Sequence, residues 1–258
     1  MTLRTAVLVA ALAVASCGGG APDARSPTGS NVPPRGTLTV FAASSLTDAF
    51  GRAGDELTRR YPGTRLVFNY GSSSTLATQI TNGAPVDVFA SADEASLQKV
   101  IEASLVEGSA AIFATNRLQI AVAPGNPKRI ASLADLARRD LLVVLAAPSV
   151  PAGKYALDAL SNARVSLTPA SQELDVRAVL NKVALGEADA GIVYVTDVRS
   201  AGTRVTGIEI AEPYQVVARY PIVTLKESKN QRLAALFVDF LLGPDGQRVL
   251  GDLGFTRP

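Results

Sequence analysis

Short apolar runs alternate with helical periodicities from residue 37 onward. Clusters of β-branched and apolar residues predict strands, and apolar residues that recur every three or four positions predict helices. The predicted strands are 37–42, 65–69, 86–90, 117–123, 141–146, 190–195 and 219–225. The predicted helices are 46–60, 74–81, 94–103, 152–160, 176–185 and 230–242. This alternation is typical of an α/β protein with mostly parallel strands.

The first residues of the chain have the pattern of a secretory signal. Arg4 precedes an apolar run from Ala6 to Ala15 that is too short to span a bilayer as a permanent helix. We therefore interpret 1–16 as a signal peptide that is removed on export.

The next residues are interpreted as a lipid anchor and a tether. Val14-Ala15-Ser16-Cys17 resembles a lipobox, in which cleavage leaves Cys17 as the N-terminus and its thiol carries the lipid. An ordinary signal peptide with an incidental cysteine is the alternative. Residues 17–36 are rich in Gly, Pro and Ser, and this composition predicts a flexible tether to the membrane.

Composition narrows the classes of function. The 258 residues include 25 Lys+Arg and 23 Asp+Glu, a formal net charge of +2, which gives no basic face for nucleic acid. There is no histidine, which excludes a His base, a His metal ligand and a Ser-His-Asp triad. Cys17 is the only cysteine, so no intrachain disulfide forms. These absences favour binding over catalysis, and we expect no enzyme activity.

Small or hydroxyl residues cluster where predicted strands pass into predicted helices. The four segments are 41–48, 71–76, 148–153 and 173–177. Ligands bind beyond the carboxyl ends of strands in open α/β sheets, and helix N-termini offer unpaired N–H groups to anions. Each segment taken singly also fits an ordinary cap, as the Ser45 and Asp48 spacing does. Tyr194 taken singly fits a core tyrosine with a satisfied hydroxyl.

Several segments resemble, in the same order, the molybdate-binding proteins of bacterial ABC importers. They are TVFAASSLTDAF, GSSSTLATQI, GAPVDVFASAD, VPAGKYALDAL, LDVRAVL, GIVYVTD and LGFT, between Thr37 and Arg257. The resemblance implies a type II periplasmic-binding-protein fold with two lobes, each a mostly parallel sheet flanked by helices, and a ligand cleft between them. Lobe 1 would comprise 37–120 and 218–258, and lobe 2 would comprise 121–217, with crossings near Ala123 and Ala218.

The resemblance also implies the ligand and its site. The oxyanion would be held by the hydroxyls and amides of Ser45 and Ser73, the amides of Ala152 and Val176, and the phenol of Tyr194. Molybdenum would be bound only as molybdate through these residues, and we expect no cofactor. The implied partners are an ABC permease with its ATPase and the membrane, through lipid on Cys17. We expect a monomer.

The predicted site residues favour a fully deprotonated oxyanion. None of the five is acidic, whereas phosphate near neutral pH usually carries a proton that requires an acceptor. Molybdate, tungstate and sulfate therefore rank above phosphate, and sulfate would be excluded by cavity size. The alternatives are a protein of the same fold for sulfate or another tetrahedral oxyanion, a serine-dependent hydrolase with Lys154 as base, and a structural surface lipoprotein.

Overall fold

The computed structural model describes residues 34–258, and these form a mixed α/β protein. The predicted signal peptide, Cys17 and nearly all of the predicted tether lie outside the described residues. Among the helices that the structure describes, none has the length and apolar character needed to cross a membrane.

All seven predicted strands are confirmed, and two short strands are added. The strands are β1 Gly36–Ala43, β2 Thr64–Gly71, β3 Val88–Ala90, β4 Val106–Val122, β5 Val143–Ala146, β6 Ser171–Glu173, β7 Ala190–Tyr194, β8 Thr206–Glu209 and β9 Val217–Leu225. The sequence pattern does not reveal β6 and β8, which have three and four residues. Strand β4 begins well before residue 117, and its early part is missed because register shifts after Glu107 and Ile112 interrupt the alternation.

All six predicted helices are confirmed as well. The helices are α1 Thr47–Arg60, α2 Ser73–Thr81, α3 Glu94–Glu102, α4 Pro151–Asn162, α5 Val176–Ala184, α6 Val195–Ala201, α7 Gln231–Leu242 and α8 Pro244–Asp252. A 3-10 turn, Ser44–Leu46, leads into α1. Helices α6 and α8 escape prediction because α6 opens with a β-branched pair directly after a strand, and α8 contains two glycines.

The described strands form one continuous series of pairings in the order β2-β1-β3-β9-β4-β7-β5-β6, with β8 also on β4. Strand β1 pairs in parallel with β2 and β3, and β5 pairs in parallel with β6 and β7. Each antiparallel pairing in this part of the chain involves β4 or β9. The two groups of parallel strands are therefore joined by two long strands of opposite direction.

The chain passes between the two groups of strands in the middle of β4. Arg117 still pairs with Val217 of β9, whereas Leu118 already pairs with Tyr194 of β7. The return passage is the start of β9. The passage at Arg117 and Leu118 comes a few residues before the crossing expected near Ala123, and the start of β9 lies beside the crossing expected near Ala218. The lobe boundaries themselves stay a prediction.

Candidate functional site

One cavity brings together all five sequence-predicted site residues. Its described lining consists of Ala43, Ser44, Ser45, Gly71, Ser72, Ser73, Ala92, Val150, Pro151, Ala152, Val176 and Tyr194. The space that the centre of a water-sized sphere can occupy is about 10 Å³, far below the roughly 300–1,000 Å³ of pockets for drug-sized ligands. The cavity therefore suits a ligand of a few heavy atoms. The role of the five residues in binding such a ligand stays a prediction.

Helix starts converge on this cavity. The 3-10 turn begins at Ser44, α2 at Ser73 and α4 at Pro151, and all three residues line the cavity. Within the described chain, the residues that precede these starts make no side-chain capping hydrogen bond. The first amides of an α-helix have no partner inside the helix, and together with the helix dipole they favour an anion.

Glycine permits the close approach of α4 to the end of β5. A Cβ atom on Gly153 would lie 2.1 Å from the carbonyl oxygen of Ala147, so any other side chain forces the two backbones apart. Ala152, which directly precedes Gly153, lines the cavity.

The start of α5 is capped in a way that leaves out the predicted ligand amide. The Asp175 carboxylate accepts hydrogen bonds from the amides of Arg177 and Ala178, at 2.8 and 3.1 Å. The amide of Val176, which the sequence assigned to the ligand, takes no part in this cap. Val176 itself is buried and lines the cavity.

Ser45 does not form the capping pair that its spacing from Asp48 allowed. Its hydroxyl lies 2.9 Å from the hydroxyl of Tyr220, and the Asp48 carboxylate accepts a hydrogen bond from Arg177. No side-chain cap is found at the start of α1 in the described structure. The capping interpretation of this pair is therefore wrong, and Ser45 is placed in the cavity by its buried contact with Tyr220.

The hydroxyl oxygen of Ser73 already accepts a hydrogen bond from the protein. The amide of Ala92 donates to Ser73 Oγ over 2.9 Å. A serine hydroxyl carries one hydrogen and accepts through its oxygen, so its hydrogen stays available for a ligand. The neighbouring Ser72 and Ser74 hydroxyls pair with each other at 2.8 Å instead of capping α2.

Tyr194 has a buried hydroxyl without a protein partner. The residue is 1% exposed, and its oxygen makes no hydrogen bond to any described residue. An unsatisfied buried polar group costs about 1–3 kcal/mol. Burial raises the pKa of this phenol well above its usual value, so it remains a donor. The core-tyrosine interpretation with a satisfied hydroxyl is therefore wrong.

No described residue that lines the cavity carries a charge. Arg177, which follows Val176, contacts Asp48 at 2.7 Å and Asp197 at 2.8 Å. Asp197 is fully buried; burial raises its pKa to about 6 although Arg177 acts to lower it. Lys154 is exposed, as expected. The lining thus presents hydroxyls and amides to a ligand, without a cation or a carboxylate.

Several lining residues are absent from the sequence prediction. Ser44, Gly71 and Ser72 lie inside the predicted segments, but nothing in the pattern distinguishes them from their neighbours. Ala92 follows β3 and lies in the segment GAPVDVFASAD, but it has no polar side chain that would indicate a place in the site. Between residues 34 and 258 no group of three or more His, Cys, Asp or Glu could hold a metal ion.

Comparison with known proteins shows the class of protein to which this fold and this cavity belong. Residues 38–256 match the model of the bacterial extracellular solute-binding proteins, and the chain belongs to this family. It is 44% identical over 256 residues to the molybdate-binding protein ModA of Mycobacterium tuberculosis, covering 99% of this chain and 97% of that protein. The Escherichia coli protein of the same name is 32% identical over 235 residues, covering 86% and 89%.

Solved structures confirm the periplasmic-binding-protein fold. The periplasmic molybdate-binding protein of Azotobacter vinelandii superposes with a TM-score of 0.73 at 22% identity, covering 86% of this chain and 99% of that chain. The sulfate-binding protein SubI of Mycobacterium tuberculosis reaches the same TM-score at 19% identity, covering 86% of both chains. At these identities the likeness shows the fold alone, and it does not separate molybdate from sulfate.

Proposed function

We propose that this protein captures molybdate, and tungstate with it, outside the cytoplasmic membrane and delivers it to an ABC importer. The observation that carries the proposal is the convergence of Ser45, Ser73 and Tyr194 with several helix starts on one small, uncharged cavity. The likeness to ModA over nearly the whole chain supports molybdate as the ligand.

Uncharged donors suffice to bind a dianion. Each hydrogen bond to a charged group contributes about 1.5–3 kcal/mol. The five predicted residues offer three hydroxyls and up to four amides, enough for sub-micromolar affinity after the costs of association. Oriented neutral donors also avoid the desolvation of a buried cation that would pair with the ligand.

The donor pattern favours a ligand without protons. Hydrogen phosphate must donate its proton to an acceptor, and the described lining contains no carboxylate to accept it. The oxygens of Ser45 and Ser73 already take part in hydrogen bonds with Tyr220 and Ala92. Sulfate offers the same charge and shape as molybdate, so its exclusion rests on size. The shared fold with SubI makes sulfate the second candidate ligand.

Ligand binding would favour a closed arrangement of the two predicted lobes. Contacts that join them include those of Arg177 with Asp48 and of the Tyr155 hydroxyl with the carbonyl oxygen of Ala92, which lies 3.4 Å away. A ligand that bridges Ser45 and Tyr194 binds the closed arrangement more tightly than the open one and therefore stabilises the closed arrangement. The passages through β4 and β9 are the segments around which the lobes would rotate.

Lipid on Cys17 and the predicted tether would hold this receptor near its permease. A tether raises the effective concentration of the receptor at the permease without any additional contact. The permease, which works with its ATPase, would then recognise the closed, loaded form of the receptor. The receptor would act as a monomer and would need no cofactor.

Thermal unfolding with molybdate, tungstate, sulfate and phosphate tests the proposal. A ligand at a thousandfold over its dissociation constant adds about 4 kcal/mol to the free energy of unfolding. We expect the largest rise in Tm with molybdate and tungstate, a smaller rise with sulfate and the smallest with phosphate. A larger response to sulfate would overturn the ligand assignment, and no response to any of the four would overturn oxyanion binding.

A further inference from the structure

We propose that Tyr220 and Asn116, which lie behind the cavity lining, are positioning residues that hold the Ser45 hydroxyl as a hydrogen-bond donor toward the ligand. This inference rests on the proposed oxyanion-binding function. Asn116 lies on β4 and Tyr220 lies on β9, so residues outside the cavity lining would contribute to ligand selectivity.

The orientation of the Asn116 amide is determined by the backbone. Its Oδ1 accepts a hydrogen bond from the amide of Arg117 over 3.0 Å. A backbone N–H only donates, so the oxygen of the side chain must face it. The Nδ2 group then faces two hydroxyl oxygens, that of Thr196 at 2.9 Å and that of Tyr220 at 3.4 Å.

The direction of the next hydrogen bond follows from this orientation. Because Asn116 Nδ2 has hydrogens and no acceptor, the Tyr220 oxygen accepts from it. The phenol hydrogen of Tyr220 is then free to point to Ser45 Oγ at 2.9 Å. Tyr220 is fully buried, and burial raises the pKa of its phenol far above the physiological range, so that hydrogen is retained.

Packing holds the Tyr220 ring in place for this task. The ring meets Phe113, Tyr194 and Phe255 edge-on, with centroids 6.3, 6.0 and 5.4 Å away. Such edge-to-face pairs prefer a defined geometry. The hydroxyl oxygen is therefore held beside Ser45.

Ser45 is the end of this chain of hydrogen bonds. Its oxygen accepts from Tyr220, so its own hydrogen is directed elsewhere, and Ser45 lines the cavity. An oxyanion that offers a lone pair gains this bond. A ligand that offers a proton meets an oxygen already used as an acceptor. Ser73 is oriented in the same sense, but by the backbone amide of Ala92, which no side-chain substitution removes.

A double-mutant cycle tests whether Tyr220 acts through Ser45. Dissociation constants for molybdate and sulfate are measured for the wild-type protein, Tyr220→Phe, Ser45→Ala and the double variant. We expect Tyr220→Phe to weaken binding about tenfold, because the hydrogen bond from Ser45 to the charged ligand is then no longer oriented. In the Ser45→Ala background the same change should have little further effect. Tyr214→Phe, at an exposed tyrosine, is the control and should bind as the wild type does.

The outcomes separate the two claims. Equal losses in both backgrounds would show a merely structural role for Tyr220 and overturn the inference, as would unchanged binding in Tyr220→Phe. A wild-type protein that binds neither oxyanion would overturn the proposed function instead. If Tyr220→Phe fails to fold, neutron diffraction of the wild-type protein decides. A deuterium on Tyr220 directed at Ser45 Oγ supports the inference, and one on Ser45 directed at Tyr220 overturns it.

Discussion

Arg177 donates from Nη2 to Oδ2 of Asp48 over 2.7 Å and thereby joins the start of α5 to the start of α1. The two residues flank predicted ligand positions, since Arg177 follows Val176 and Asp48 stands three residues beyond Ser45. The Nε of Arg177 lies 2.8 Å from the buried Asp197. The guanidinium is thus held between two carboxylates beside the cavity, and it contributes no charge to the lining.

Breaking this ion pair should weaken ligand binding modestly. In Asp48→Asn the contact with Arg177 is no longer an ion pair. Partly exposed ion pairs contribute about 0.2–1 kcal/mol of stabilising free energy. We therefore expect the dissociation constant for molybdate to rise up to about fivefold. Titration calorimetry measures it.

Asp245→Asn is the matched control, because Asp245 pairs with Arg60 inside one predicted lobe. It should leave affinity unchanged. Equal losses in Asp48→Asn and Asp245→Asn would contradict a specific role for the Arg177 contact.

Removal of the Tyr194 hydroxyl should affect stability and affinity in opposite directions. This buried hydroxyl has no partner among the described residues, so Tyr194→Phe should raise the ligand-free free energy of unfolding by about 1 kcal/mol. The same change deletes a ligand donor and should weaken molybdate binding about tenfold or more. Urea unfolding and calorimetry provide the two values. Lower stability combined with unchanged affinity would show that the hydroxyl serves the core.

Adjacent serines should differ sharply in their contribution to binding. Ser73→Ala removes a cavity hydroxyl and should cost about 1.5–3 kcal/mol of binding free energy. It also leaves the amide of Ala92 without its acceptor, so Tm should fall. Ser74→Ala is the control, because Ser74 pairs with Ser72 and does not belong to the described lining. Similar dissociation constants for both variants would remove Ser73 from the site.

The buried Asp197 should make stability depend on pH. Burial raises its pKa from 3.8 to about 6 in the folded protein. Between these values the folded state holds a proton that the unfolded state has lost. The contribution of Asp197 to stability is therefore complete below pH 3.8 and is lost as the pH rises through about 6. The total loss is about 3 kcal/mol.

Urea unfolding of the wild type and of Asp197→Asn at pH 5 and pH 7.5 isolates this effect, because the other titrating groups are common to both proteins. We expect the wild type to lose stability relative to the variant as the pH rises. A constant difference between the two proteins would show that Asp197 does not titrate in this range.

The local pattern of apolar and polar residues predicts most of the strands and helices, but few of the contacts between them. The apolar alternation and the serine-rich strand ends place all seven strands and the helix starts at Ser73 and Val176 close to where they lie. The early part of β4 is missed because its bulges break the alternation that identifies a strand.

The positions of the cavity residues follow from motif order, whereas their partners do not. Ser45 and Tyr220 are 175 residues apart in sequence. They meet only because β3 pairs both with β1, which leads into Ser45, and with β9, which carries Tyr220. The pairing of Asp48 with Arg177, 129 residues away, likewise replaces a local cap that the spacing favoured. Such contacts depend on the register of distant strands, which no local periodicity encodes.

The most direct measurement is a crystal structure of the protein with molybdate, with anomalous diffraction recorded at the molybdenum edge. We predict a single strong anomalous peak in the cavity, with ligand oxygens within hydrogen-bond distance of the hydroxyls of Ser45, Ser73 and Tyr194. We also predict that no charged side chain contacts the ligand. A peak elsewhere, or an arginine or lysine that contacts the oxyanion, would contradict recognition by uncharged donors.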